Sequence, residues 1–332
     1  MNSFKELLKI INEKNSFLLT THVNPDADAI GSELALFSFL KKLGKKVRIV
    51  NHNATPYNLQ FMDEDKLIEK YDDELHIELF NEIDVCVVLD LNNASRTVKM
   101  EKAIREFNGI KICIDHHQDP EDIFNLIVGG NDYSATGEIL FKFIKESKLV
   151  EIDQFIANQL YVAIMTDTGP FRFERTTPEV HKIVSELIQI GVSPTLIYDK
   201  VYNQFNFGRV RLLGEALSKI ELDSTKQIAF MVITNEMLER NNTTEADVDG
   251  FVNYCLTISS VQIGILFYEL KDGIKISFRS KGEVPVSSLA AEFNGGGHRN
   301  AAGSRLFNIS IESIKEKVIT KANDYLKNME LT

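Results

Sequence analysis

Cysteine is scarce. Cys86, Cys113 and Cys255 are odd in number and far apart, and two of them lie in apolar runs. That pattern reads as reduced core thiols of a cytosolic protein, not as disulfides or a zinc site. Positive charge is also short: 37 Lys and Arg stand against 48 Asp and Glu, a net charge of −11. This argues against a long nucleic-acid footprint, which needs many cationic contacts to phosphates. It leaves room for a short anionic substrate at a metal site, where bound cations supply positive charge locally. No apolar run of about 18 residues is present, so no membrane span is expected. The N-terminal MNSFKELLKIINEKNSF alternates charge with apolar residues at helical spacing. It lacks the apolar stretch and cleavage site of a signal peptide, and a cytoplasmic location is expected. There are no repeats and no low-complexity segments.

What is present suits two domains, because 332 residues exceed most single cores. The first half alternates short apolar runs with helical patterns. FLLTTH (17–22), KVRIV (46–50), IDVCVVLD (83–90), IKICID (110–115) and FNLIV (124–128) read as strands, apolar on both faces as in a buried parallel sheet. The stretches 29–44, 135–147 and 154–167 read as helices. The alternation predicts an α/β fold: a doubly wound, mostly parallel sheet domain over 1–190, a helical connector over 191–222, and a smaller C-terminal α/β domain over 223–332. In the last of these, 227–233, 260–270 and 273–280 read as strands.

Three apolar runs in the first half end in acidic or imidazole side chains. FLLTT leads into His22, Asp26 and Asp28, DVCVVL into Asp90, and IKICI into Asp115, His116 and His117. A fourth run, QLYVAIMTD, ends at Asp167. Each taken singly suits a helix cap or turn, and Asp28 is placed to cap a helix beginning near Ala29. Together they are harder to dismiss, because the carboxyl ends of parallel strands line one sheet edge, where ligands bind. Two His with several Asp match the mixed nitrogen and oxygen set of divalent cations such as Mn2+ or Mg2+. Phe171 and Phe173, beside Asp167, read as core residues. The C-terminal EFNGGGHRNAAGSR reads as a glycine-rich loop whose backbone N–H groups can approach an anion closely.

HVNPDAD, an Asp after the next buried strand, DHH, DTGPFRF and GGGHRNAAG occur in that order from Thr21 to Gly303. This combination resembles the DHH phosphoesterase superfamily with its DHH-associated C-terminal domain. In length and layout it is most similar to the bacterial nanoRNase group, oligoribonucleases that are also 3′-phosphoadenosine-5′-phosphate (PAP) phosphatases. The resemblance implies a two-metal phosphodiesterase and phosphatase using Mn2+, with Mg2+ or Co2+ as substitutes. It places His22 and Asp26 on one ion, Asp28 and His116 on the other, and Asp90 and Asp167 between them. His117 would face the substrate phosphate, and Asp115 would orient a neighbouring His. Arg96, Arg279, Ser280, Gly295, Gly296, Gly297 and His298 would bind substrate. Two departures are visible: Ala27 stands where Gly is usual, and LNNASR keeps Arg96 but lacks the usual Ser and Asp between.

The substrate implied is an oligoribonucleotide of a few nucleotides, a dinucleotide or PAP. Long nucleic acid and membranes are not implied, and a homodimer is compatible with the pattern. The rivals are a phosphodiesterase for linear or cyclic dinucleotide messengers and a non-catalytic nucleotide-binding protein.

Overall fold

Apolar residues on both faces of five short runs produce a buried parallel sheet. The structure, a computed structural model, describes residues 2–330, apart from the side chains of residues 2, 298 and 328–330. The chain divides into two units between Gln204 and Phe205.

The first unit runs α1 (Asn2–Glu13), β1 (Ser16–Thr20), α2 (Ala27–Lys42), β2 (Lys46–Asn51), β3 (Ile68–Lys70), α3 (Asp73–His76), α4 (Leu79–Glu82) and β4 (Val85–Leu89). It continues with α5 (Glu101–Glu106), β5 (Ile110–Asp115), β6 (Leu126–Gly129), α6 (Thr136–Ser147), α7 (Gln154–Asp167), α8 (Pro178–Ile190) and α9 (Pro194–Tyr202). The strand order is β3-β2-β1-β4-β5-β6, and every pairing is parallel. Side chains alternate between two cores. Phe17 and Leu19 pack with Leu34, Ile139 and Leu160 of α2, α6 and α7. Leu18 and Cys86 pack with Leu79 and Ile104 on the opposite face. The order reverses at β1, whose neighbours are β2 and β4. Such a reversal opens a crevice at the carboxyl ends of the strands.

The second unit contains α10 (Phe207–Ser218), β7 (Glu221–Leu222), β8 (Ile228–Ile233), α11 (Asn235–Asn241), β9 (Ile263–Leu270), β10 (Gly273–Ser280), α12 (Val286–Ala291), β11 (Gly296–His298), β12 (Ala301–Phe307) and α13 (Ile311–Glu330). Its sheet has the order β11-β12-β10-β9-β8-β7, with β8 and β9 parallel and the other pairs antiparallel. Ile314 and Val318 of α13 pack with Phe267 and Phe278 on one face. Leu212 of α10 and Met237 of α11 pack with Met231 on the other.

Three sequence expectations meet the structure here. The three cysteines are free and buried, as expected of core thiols. The stretch expected as a connector is divided. Ile197 of α9 joins the first unit's core, while Leu212 and Ala216 of α10 join a core of the second. The glycine-rich stretch is not a loop but a hairpin, with Gly296↔Gly303, Gly297↔Ala302 and His298↔Ala301 in register. Missing side chains hid the strand, since periodicity has nothing to report at glycine. Gly297 has φ 143, and a Cβ there would lie 2.5 Å from the Ala301 carbonyl oxygen, whereas one at Gly296 would meet nothing within 4 Å. Gly297→Ala is therefore expected to lower stability by about 2 kcal/mol or more. Gly296→Ala should change it by less than about 1 kcal/mol. Urea unfolding of the two variants measures the contrast, and equal effects would contradict the hairpin geometry.

Candidate metal centre

Every ligand-type side chain expected from the sequence of the first unit comes to the carboxyl ends of β1, β4 and β5, or to the end of α7. The donors form three overlapping groups, with ligand atoms within 4.8 Å of one another in each: His22, Asp26 and Asp90; Asp28, His116 and Asp167; Asp90, Asp115, His116 and His117. Asp90 stands between the first two. Its Oδ2 is 3.4 Å from His22 Nε2 and its Oδ1 is 3.4 Å from His116 Nε2. His116 Nε2 is also 3.4 Å from Asp167 Oδ2. Among these groupings Asp90 alone is shared by both His22 and His116. Asp167, which ends α7, groups with Asp28 and His116, and the charge of Asp26 also acts on it.

Local structure fixes each donor. His22 Nδ1 donates to the Val23 carbonyl at 3.0 Å, which leaves Nε2 toward the carboxylates. Asp90 lies just past β4 with φ 57, a left-handed conformation that Asp tolerates better than most residues. Its N–H donates to the Ile114 carbonyl at 3.0 Å, which ties the ends of β4 and β5 together. Asp26, not Asp28, caps α2, with Oδ1 accepting from the N–H groups of Asp28 and Ala29 at 3.1 Å. Asp28 caps a different helix. Its Oδ2 accepts from Thr136 N–H at 2.7 Å and its Oδ1 from Gly137 N–H at 2.9 Å, at the start of α6. Asp115 Oδ1 accepts from His117 Nδ1 at 2.6 Å, so it orients that ring and not His116. Arg96 touches this region through its backbone, its carbonyl accepting from Val23 N–H at 2.7 Å.

The electrostatics are those of crowded acids. Among the described residues, no Lys or Arg forms an ion pair with Asp26, Asp28, Asp90 or Asp167; their ion pairs are with imidazoles. Burial, then the charges of Asp90 and Asp167, hold the Asp28 carboxyl well above the usual carboxylate range. Burial likewise pushes Asp167 up to about 7, against the pull of His116. Burial opposes the imidazolium of His116, yet its contact with Asp90 and the charge of Asp167 prevail and raise it to about 10. Burial also works to raise Asp90, but contacts from His116 and His22 outweigh it and hold that carboxyl below its usual value. Burial thus favours protonated carboxyls at Asp28 and Asp167, and a metal binding there would compete with those protons. His116 Nδ1 and Asp115 Oδ2 are buried without a hydrogen-bond partner among the described residues. Converging carboxylates and imidazole nitrogens, which no Lys or Arg ion-pairs among the described residues although the charge of Arg96 reaches His22, fit divalent cations.

The comparisons with known proteins agree with this geometry. The DHH family N-terminal domain matches residues 16–164, and the DHHA1 domain matches residues 225–328. The chain belongs to the DHH family. It is 31% identical to the bifunctional oligoribonuclease and PAP phosphatase NrnA of Thermus thermophilus, over 98% of this chain and 94% of that one. It is 28% identical to the protein of the same name in Bacillus subtilis, over 91% of this chain and 93% of that one. An exopolyphosphatase-related protein from Bacteroides fragilis has a crystal structure that superposes with a TM-score of 0.94 at 35% identity, covering 99% of this chain and 97% of that one. The DHH family is one of metal-dependent phosphoesterases, and the residues gathered at the sheet edge lie within or just beyond the stretch that its N-terminal domain matches.

In the DHHA1 domain the expected substrate residues divide. Arg279, the next-to-last residue of β10, lies opposite Ala301, and His298 pairs with Ala301 from the other side, so the backbone aligns the two positions in one row. The His298 side chain lies outside the described residues. Arg279 is half-buried, its Nη1 donates to the Phe278 carbonyl at 3.0 Å, and burial lowers its guanidinium pKa. Ser280 does not fit a role in gripping substrate. Its hydroxyl is buried, donating to the Val284 carbonyl at 2.6 Å and accepting from Asn300 Nδ2 at 2.9 Å, where it shapes the turn after β10. Gly295, Gly296 and Gly297 lie in or beside β11.

Several supporting residues escaped the sequence reading. Thr136 Oγ1 donates to Asp90 Oδ1 at 3.2 Å, so the start of α6 steadies Asp28 and Asp90 together. Asn51, at the end of β2, accepts from Thr21 N–H at 3.2 Å and donates to buried Glu33 at 2.7 Å. Burial pushes Glu33 up to about 8, against the lowering effect of that hydrogen bond. The available signals were a polar residue at a strand end and a carboxylate on an apolar helix face.

The two kinds of aspartate should separate in stability measurements without metal. Asp28→Ala leaves two buried backbone N–H groups of α6 without their acceptor and is expected to cost about 2 kcal/mol or more. Asp167 accepts no backbone hydrogen bond among the described residues, so Asp167→Ala should change stability by less than about 1 kcal/mol. Urea unfolding in EDTA reads both values; equal losses would contradict the capping role of Asp28.

Proposed function

We propose that this chain is a Mn2+-dependent phosphohydrolase that degrades oligoribonucleotides of about two to five residues to mononucleotides, and that also removes the 3′-phosphate of PAP in the cytoplasm. Short substrates suit a chain of net charge −11, which lacks the cationic track that long RNA requires. The observation that carries the chemistry is the Asp90 carboxylate standing 3.4 Å from both His22 and His116. The substrate assignment draws on the full-length likeness to the oligoribonuclease and PAP phosphatase of Thermus thermophilus.

On this reading His22, Asp26 and Asp90 hold one cation, and Asp28, His116 and Asp167 hold a second, with Asp90 shared. Two divalent cations supply Lewis acidity toward phosphate oxygens and lower the pKa of water near neutral pH. The chain's own groups do the rest. Asp115 accepts from His117 Nδ1 and fixes that ring, which presents Nε2 to an oxygen of the scissile phosphate. Arg279, His298 and the backbone of 296–297 hold a terminal phosphate, which favours short chains ending there, whereas the Gly295 N–H is taken by the Ala290 carbonyl at 2.9 Å. Arg96 stays near the His22 loop and neutralises substrate charge.

Purified protein with Mn2+ should release mononucleotide from a 5′-phosphorylated diribonucleotide, and EDTA should abolish this. Asp90→Asn should lower kcat by about 100-fold or more, the scale of losing one electrostatic contact to the transition state. A 24-mer should be cleaved at least roughly tenfold more slowly than the dinucleotide at fixed salt, if the contact to a terminal phosphate is lost. A rate unaffected by EDTA, or a cyclic dinucleotide preferred over the linear one, would overturn the assignment.

A further inference from the structure

After Asp167 the chain turns through 168–176 before α8. Thr168 organises that turn: its carbonyl accepts from the N–H groups of Arg172 at 3.1 Å and Phe173 at 3.0 Å, and its Oγ1 accepts from Phe171 N–H at 3.2 Å. Two aromatic residues emerge from it with different fates. Phe171 is half-buried, with ring centroids 5.9 Å from Tyr161 and from His181, so it belongs to the packing as the sequence suggested. Phe173 does not. It is 52% exposed.

A single exposed Phe ordinarily needs no explanation. This one is held in place. Gly169 has φ 57, and a Cβ built there would fall 2.4–2.6 Å from three atoms of the Phe173 ring. The ring therefore lies directly against the backbone two residues beyond Asp167. The Arg172 guanidinium stands 5.5 Å from the ring centroid. Arg172 and Asp167 both act electrostatically on the Tyr202 hydroxyl, which places the cation and the metal-side carboxylate around one residue. A half-exposed aromatic ring with an adjoining guanidinium, held against the backbone two residues beyond a metal-side carboxylate, has the chemistry that stacks a nucleobase.

We propose, on the nucleotide-hydrolase reading, that Phe173 stacks the base of the nucleotide whose phosphate lies at the metal centre, with Arg172 completing the platform. Phe173 is then a specificity residue that separates nucleotides from bare sugar phosphates. Because every base has a π-face, the contact tolerates any base.

The absence of tryptophan from the chain makes a direct test available. Phe173→Trp introduces a single fluorophore at the proposed stacking position. AMP should quench its emission, and ribose 5-phosphate at equal concentration should not. In kinetics with Mn2+, Phe173→Ala should lower kcat/KM for a 5′-phosphorylated diadenylate by roughly tenfold, the scale of losing one base–aromatic stack. It should leave the rate on the same dinucleotide with abasic sugars nearly unchanged, and Phe173→Trp should retain activity on the diadenylate. Equal losses on both substrates, or an indole emission indifferent to AMP, would overturn the stacking role. The two readings fail separately. A wild-type protein that releases no mononucleotide contradicts the nucleotide-hydrolase reading. One that does, while the emission of the F173W variant stays unquenched by AMP, contradicts only the stacking role.

Discussion

Four carboxylates converge on two imidazoles at one edge of a buried sheet, and much of the first unit serves to hold them there. Like charges at this spacing repel, and burial removes the water that would screen them. The arrangement is sustained by His22 and His116, which sit on either side of Asp90, and by burial, which favours the neutral forms of Asp28 and Asp167. Divalent cations relieve the same repulsion more fully. The stability of this edge and its proposed affinity for metal would therefore be two expressions of one electrostatic constraint.

Helix ends share the load. Asp26 and Asp28 each accept two backbone N–H groups, one pair from α2 and the other from α6. The partial positive charge of a helix N-terminus favours an anion there. Backbone dipoles thus fix both carboxylates, and the capping role of Asp26 through Oδ1 leaves its Oδ2 toward His22 for the proposed metal role. Thr136 and the Thr21–Asn51–Glu33 chain extend the support beneath β1 and β4.

The sheet and its loaded edge were legible in the sequence because both signals are local. Runs such as DVCVVL and IKICI are apolar on both faces, and polar donors follow each at once. The fold and the family both follow from those runs and motifs. What stayed hidden depends on contacts across the chain. Asp28 and Thr136 are 108 residues apart, so no local pattern reveals which helix Asp28 caps. β11 was invisible because glycine carries no side chain whose periodicity could be read, and β12, AAGSRLF, has too little apolar alternation to stand out. Ser280 and Phe173 exchanged their expected environments for a similar reason: exposure is set by partners from distant segments, Val284 and Asn300 in one case and the Gly169 turn in the other.

The most direct measurement is anomalous diffraction at the manganese edge from crystals grown with Mn2+. The account predicts two peaks per chain, about 3.5–4 Å apart. One should lie beside His22 and Asp26, the other beside Asp28, His116 and Asp167, with the Asp90 carboxylate between them. A single peak, or a pair that Asp90 does not touch, would contradict it.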